Sequence, residues 1–139
     1  MRAAVGAGVG VFVGVACLAL SGCSSVGARE DAAASAALRF EENLRGGQAL
    51  LGCDGLAPGT REELEETAKS LCPPALEELE LPSAGEVRRV DVYGRQARVV
   101  LDSDTLFLSS FPDGWKVVAA GCEPHPEPEL PYQCDLKGG

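Results

Sequence analysis

Two hydrophobic periods divide the chain. From Glu30 to Arg45 the apolar residues Ala33, Ala37, Phe40 and Leu44 fall at i, i+4, i+7 and i+11, with Glu41, Glu42 and Arg45 off that stripe. This spacing predicts a helix with one apolar face, ended by Gly46-Gly47. Gln48 to Gly52 begins a second, short helix carrying Ala49, Leu50 and Leu51, and Cys53-Asp54-Gly55 with Pro58-Gly59 breaks the chain into a loop. Thr60-Arg61-Glu62-Glu63 matches a capping box, in which the Thr60 hydroxyl accepts the Glu63 N–H and the Glu63 carboxylate reaches back. The helix it opens carries Leu64, Ala68 and Leu71 on one face and stops at Cys72-Pro73-Pro74, and a single helical turn follows near Ala75 to Leu79.

Beyond that point the period falls to two. Val90 and Val92 alternate with Arg89, Asp91 and Tyr93; Ala97, Val99 and Leu101 alternate with Gln96, Arg98 and Val100. Leu106 and Leu108 carry a third strand, and Trp115, Val117 and Ala119 a fourth. Tight turns at Tyr93–Gln96, Asp102–Asp104 and Phe111–Gly114 join them, which predicts an antiparallel meander. Helices first and strands after give an α+β domain with the helices packed on one face of a four-stranded sheet. The tail from Gly121 to Gly139 holds Pro124, Pro126, Pro128 and Pro131 and is expected to be an extended, polyproline-like loop pinned back to the last strand.

The beginning of the chain reads differently. Met1-Arg2 is a short cationic start, and Ala3 to Leu20 carries no charge, which is the layout of an export signal. It ends in Leu20-Ser21-Gly22-Cys23, which resembles the bacterial lipobox, an aliphatic residue and two small ones before the cysteine that receives diacylglycerol. The resemblance implies cleavage before Cys23 and anchoring on the extracytoplasmic face of the cell membrane. Two acyl chains make such an anchor permanent, where one would be reversible. An uncleaved transmembrane helix is the competing account of residues 3–20, and glycine at 6, 8, 10 and 14 weakens it. The chain therefore divides into a signal peptide over 1–22, a flexible lipid-anchored tether over 23–29, an α+β domain over 30–121 and a Pro-rich, disulfide-stapled tail over 122–139.

Composition then narrows the chemistry. In 139 residues there are 12 Lys and Arg against 21 Asp and Glu, a net charge of −9, which repels phosphate backbones and excludes nucleic acid as a partner. Of the six cysteines, Cys17 leaves with the signal and Cys23 is lipidated, so Cys53, Cys72, Cys122 and Cys134 remain. Outside the cytoplasm these are expected to form two disulfides, with three possible connectivities. Pairing Cys53 with Cys72 and Cys122 with Cys134 closes two short local loops, worth roughly 3 kcal/mol each on a chain-entropy account. Cys122, His125 and Cys134 could alternatively contribute to a metal site, but no fourth ligand and no Cys-x-x-Cys knuckle accompany them, so no metal or other cofactor is expected.

The order helix, short helix, capped helix and four-strand meander resembles the NTF2-like family, the cone-shaped fold of ketosteroid-isomerase-like and SnoaL-like proteins, over roughly residues 30–121. Phe111-Pro-Asp-Gly-Trp-Lys-Val-Val-Ala-Ala echoes the Gly-Trp-Arg/Lys-Val strand of such domains. The ending Ala-Ala-Gly-Cys, a Pro-rich stretch and Tyr-Gln-Cys is similar to small exported lipoproteins of high-GC Gram-positive bacteria. Enzymes of the family use an acidic base inside the cone. Here Asp91 and Tyr93 share one strand face, but opposite Val90 and Val92, so they are expected to face solvent, and the sole histidine is far in sequence from any serine. The expectation is a non-enzymatic, membrane-anchored domain that binds an envelope protein or a small apolar ligand. The alternative is a small isomerase- or lyase-like enzyme with an acidic base in the cone, for which a deep pocket containing a buried carboxylate would speak.

Overall fold

The structure, a computed structural model, describes residues 24–138. The signal peptide, Cys17, Cys23 and Gly139 lie outside the described residues. Four helices, α1 (Ser24–Arg45), α2 (Ala49–Asp54), α3 (Pro58–Ala68) and α4 (Cys72–Glu78), precede five strands, β1 (Val87–Tyr93), β2 (Gln96–Leu101), β3 (Thr105–Phe111), β4 (Gly114–Glu123) and β5 (Gln133–Lys137). The strands form one antiparallel sheet in the order β1-β2-β3-β4-β5.

In α1 the predicted stripe is the buried face: Ala33, Ala37 and Phe40 are sealed from solvent, and Leu44 packs at the edge of the same cluster. Gly47, at φ +68°, turns the chain after the last turn of the helix and donates to the Leu44 carbonyl. The helix starts at Ser24, so residues 24–29 are not the flexible tether expected of them. Arg29 explains the difference. Its guanidinium donates to the Gly94 carbonyl and lies 5.6 Å from the Trp115 ring centroid, which docks the first turns of the helix onto the sheet.

The capping box also resolves differently. Pro58 occupies the first turn of α3, with Ala57 as the N-cap residue, so the helix begins two residues before Thr60. Thr60 is thus inside the helix, buried, and its hydroxyl donates to the Val118 carbonyl at 3.1 Å, tying α3 to β4. Leu71 is exposed, and Cys72-Pro73-Pro74 opens α4 instead of closing α3, since the N–H that proline lacks is one the first helical turn does not use. At Gly52 a Cβ would lie 3.0 Å from both the Leu44 and the Leu76 methyls, so glycine lets α2 pack closely against α1 and α4 there. The Cys53–Cys72 disulfide joins α2 to α4 across a Cα–Cα distance of 6.1 Å.

The period-two positions Ala97, Val99, Leu101, Leu106, Leu108 and Val117 are buried with the helix residues in one core. On the other face Asp91, Arg98 and Phe107 stand in cross-strand register. The tail departs from expectation. Residues 124–132, with the four prolines, turn back, and Gln133–Lys137 pairs with β4 as a fifth strand whose Leu136 enters the core. Cys122 and Cys134 are direct cross-strand partners, with Cα atoms 4.0 Å apart, and are disulfide-bonded. Tyr132, just before β5, packs edge-on against Phe107 with ring centroids 5.1 Å apart and accepts a hydrogen bond from Arg98.

Candidate functional site

The chemically unusual place lies where α1 crosses the β2–β3 turn. That turn, Asp102-Ser103-Asp104, is held by the Leu101 N–H donating to the Asp104 carbonyl. Asp104 points inward, 6% exposed. Its Oδ1 accepts the backbone N–H groups of Thr105 (2.7 Å) and Cys122 (3.1 Å), and Oδ2 accepts that of Gly121 (3.1 Å). Burial pushes the Asp104 carboxyl up, against the opposing pull of those three N–H donors.

Glu41 on α1 is its partner. The side chain is 4% exposed, and burial, then the negative charge of Asp104, then a hydrogen bond to Asp104 push its carboxyl up to about 8, with Arg45 opposing. At neutral pH Glu41 therefore keeps its proton and donates it to Asp104, whose carboxyl oxygens are held by the three backbone N–H groups. Glu41 Oε1 has no hydrogen-bond partner.

A cleft of about 300 Å³ opens beside this pair, bounded by the end of α1, the start of α2, α4 and residues 80–84. Glu41, Leu44, Arg45, Leu76, Glu80 and Leu81 are among its walls. Glu80 holds the left-handed conformation, φ +48°, rare for a residue with a Cβ. The β2–β3 turn fixes the wall segment: Ser103 donates to the Ala84 carbonyl, and the Asp102 carboxylate accepts the Glu86 N–H at 2.8 Å and pairs with Arg88. Gly85, at φ +77°, is required there because a Cβ would fall 2.6 Å from Asp102. The Glu86 N–H, followed by Arg88, holds the Asp102 carboxyl below its ordinary value.

The residues singled out from sequence fare unequally. Cys53 and Cys72, and Cys122 and Cys134, are the two bonded pairs. Because both sulfurs of the second pair are consumed in the bond, Cys122, His125 and Cys134 do not form a thiolate metal site; His125 Nδ1 instead accepts the Glu127 N–H. Among the described residues no group of three His, Cys, Asp or Glu side chains is placed to hold a metal ion. Asp91 is mostly covered on the outer face, between Arg98 Nη2 at 2.7 Å and Arg89 Nε at 2.9 Å; hydrogen bonding to Arg98 before all else holds its carboxyl below the ordinary value. Tyr93 is exposed. The two are not brought to the cleft.

Glu41 and Asp104 were both missed in the sequence, one as an off-stripe surface residue and one as a turn former. Position 41 is four residues after Ala37 and eight after Ala33, so geometry alone places it beside the buried stripe.

Fold and site together define an α+β domain of helices on an antiparallel meander, closed at one end by a buried carboxyl pair beside an open cleft. Compared with known proteins, the chain matches no family model, no curated protein and no solved structure.

Proposed function

We propose that this protein is an exported lipoprotein, held on the extracytoplasmic face of the cell membrane by diacylglycerol on Cys23, whose NTF2-like domain binds a small ligand in the cleft beside Glu41 without converting it. The lipobox-like Leu20-Ser21-Gly22-Cys23 behind an uncharged run supports the anchor, and two disulfides in the domain that follows suit an oxidising compartment. Cleavage there takes 22 of the 139 residues, Arg2 among them, and leaves 117 with 11 basic against 21 acidic side chains, net −10. The domain is then held near the membrane by lipid and not by charge.

The observation that carries binding over catalysis is the state of the carboxyl pair. Asp104 has both oxygens filled by backbone N–H groups and Glu41 keeps its proton at neutral pH, so neither carboxyl of the buried pair is a free base toward the cleft. Cys23→Ala tests the anchor: loss of fatty-acid labelling and of precursor processing is the expected outcome, and normal processing would overturn it.

A second reading, an isomerase- or lyase-like enzyme, draws support from Glu41 itself, because a carboxyl pushed up to about 8 is a usable acid at neutral pH. It requires solvent deuterium to enter a cleft-bound carbonyl compound in the wild type and not in Glu41→Gln. The binding reading expects no incorporation in either.

A further inference from the structure

We propose that the cleft beside Glu41 is a site for a small organic cation, an alkylammonium whose charged head meets Glu41 and whose hydrocarbon lies on Leu44, Leu76 and Leu81. This rests on the reading of the cleft as a binding site and names the ligand class. Three observations converge on it. Glu41 lines the cleft, is 96% buried by its 4% exposure, and leaves Oε1 without a partner, an expense a folded protein rarely leaves standing in an idle wall. Charge along the walls is one-sided: Glu77 and Glu80, joined by Glu41 once it ionises, against Arg45 alone. The remaining walls are apolar, and a volume of about 300 Å³ lies at the small end of ligand sites.

Each alternative occupant fails on one of these. An anion would meet three carboxyl groups with one guanidinium. A bare metal ion lacks a third ligand among the described residues and would leave the leucines idle. An ammonium brings three N–H donors, enough to satisfy Oε1 and the second carboxyl oxygen while Asp104 keeps its backbone donors. Glu41 gives up its proton to solvent as the cation arrives, so one positive charge replaces another inside the wall. Every group facing Glu41 enters that exchange: Asp104 from the turn favours the cation, Arg45 from its own helix opposes it, and Glu77 and Glu80 add to the field of the cleft.

The test uses the mature lipidated chain in lipid nanodiscs with labelled leucine methyls. n-Butylammonium chloride, n-butanol and sodium butyrate are titrated in turn. Saturable shifts at Leu44, Leu76 and Leu81 are expected for butylammonium, at least tenfold weaker binding for butanol, and none for butyrate. Butylammonium affinity should rise up to tenfold from pH 6 to pH 7, because the competing proton on Glu41 is displaced. Glu41→Gln should cost tenfold or more and abolish that pH dependence. Should that variant not fold, Arg45→Gln decides instead at pH 9, where Glu41 has already lost its proton and removing the one opposing cation must tighten butylammonium binding severalfold. Butanol binding as well as butylammonium, or unchanged affinity in the variant tested, overturns the cation site while leaving a binding cleft. No cleft shift with any of the three overturns both.

Discussion

Glu41 and Asp104 make the stability of the domain depend on pH in a direction opposite to that of most acidic proteins. In the unfolded chain Glu41 ionises near its ordinary value of 4.5, whereas in the fold it keeps its proton until about 8. Between those limits the folded state binds more protons than the unfolded one, so stability falls as pH rises. Its contribution is complete below pH 4.5 and gone above 8; Asp104, also pushed up, acts with the same sign. Asp91 and Asp102 act the other way, since carboxyls held below 3.8 stabilise above that value and lose their effect as pH falls through it, beneath the window of Glu41. Melting should therefore occur on the order of 10 °C higher at pH 5 than at pH 8, given roughly 1.4 kcal/mol per pKa unit. Glu41→Gln, which keeps the hydrogen bond without the titration, should flatten the profile. A wild-type melting temperature that climbs from pH 5 to 8 would count against a buried neutral Glu41. Nothing in the local sequence announces this pair. Charge led Glu41 to be placed outside a stripe that its position adjoins, and Asp104 is a turn residue whose inward aim depends on N–H groups of Gly121 and Cys122, distant in sequence.

The elements themselves were largely legible, because helix and strand periods report burial directly. All four helices and the first four strands occur in the order the pattern gives; the bounds of α3 and α4 shift because Pro58 and Pro73 open helices, and the other departures fall where a contact distant in sequence decides. The start of α1 depends on Arg29 reaching Gly94 and Trp115. β5 contains only one buried apolar residue, Leu136, in a five-residue strand, too weak a period to read, and it is specified instead by pairing along β4. The two disulfides consequently do different work. Cys53 and Cys72 are both in the core, so Cys53→Ala/Cys72→Ala should lower the melting of the whole domain by roughly 3 kcal/mol. Cys122 and Cys134 close a hairpin at the sheet edge, so Cys122→Ser/Cys134→Ser should act locally. In that variant amide exchange is expected to accelerate at residues 133–137 while Val99 and Leu108 remain protected. Uniform loss of protection in both variants would mean that β5 is integral to the global unfolding unit.

At the scale of the molecule, the continuity of α1 fixes how an anchored domain must sit. α1 is already helical at Ser24, the first described residue and the one that follows Cys23 in sequence. Arg29, near this end of α1, reaches the Gly94 turn, whereas Trp115 also borders Ala36, Phe40 and Asn43 further along the helix. Glu41 lies 12 residues after Arg29, about 18 Å along the helix at 1.5 Å per residue. On the proposed anchoring through Cys23, this spacing predicts that the Gly94 turn stands nearer the bilayer than the cleft does. The single tryptophan of the chain makes this measurable. In vesicles carrying head-group-labelled quencher lipid, Trp115→Phe/Tyr93→Trp, with its only indole at the exposed position before Gly94, should be strongly quenched, whereas Trp115→Phe/Leu81→Trp, with its only indole at the cleft, should lose several times less. Detachment of the chain from the membrane by Cys23→Ala should abolish quenching in both. Equal quenching at the two positions in the lipidated protein would show that residues near Cys23 let the domain tumble, and the cleft would then have no preferred direction.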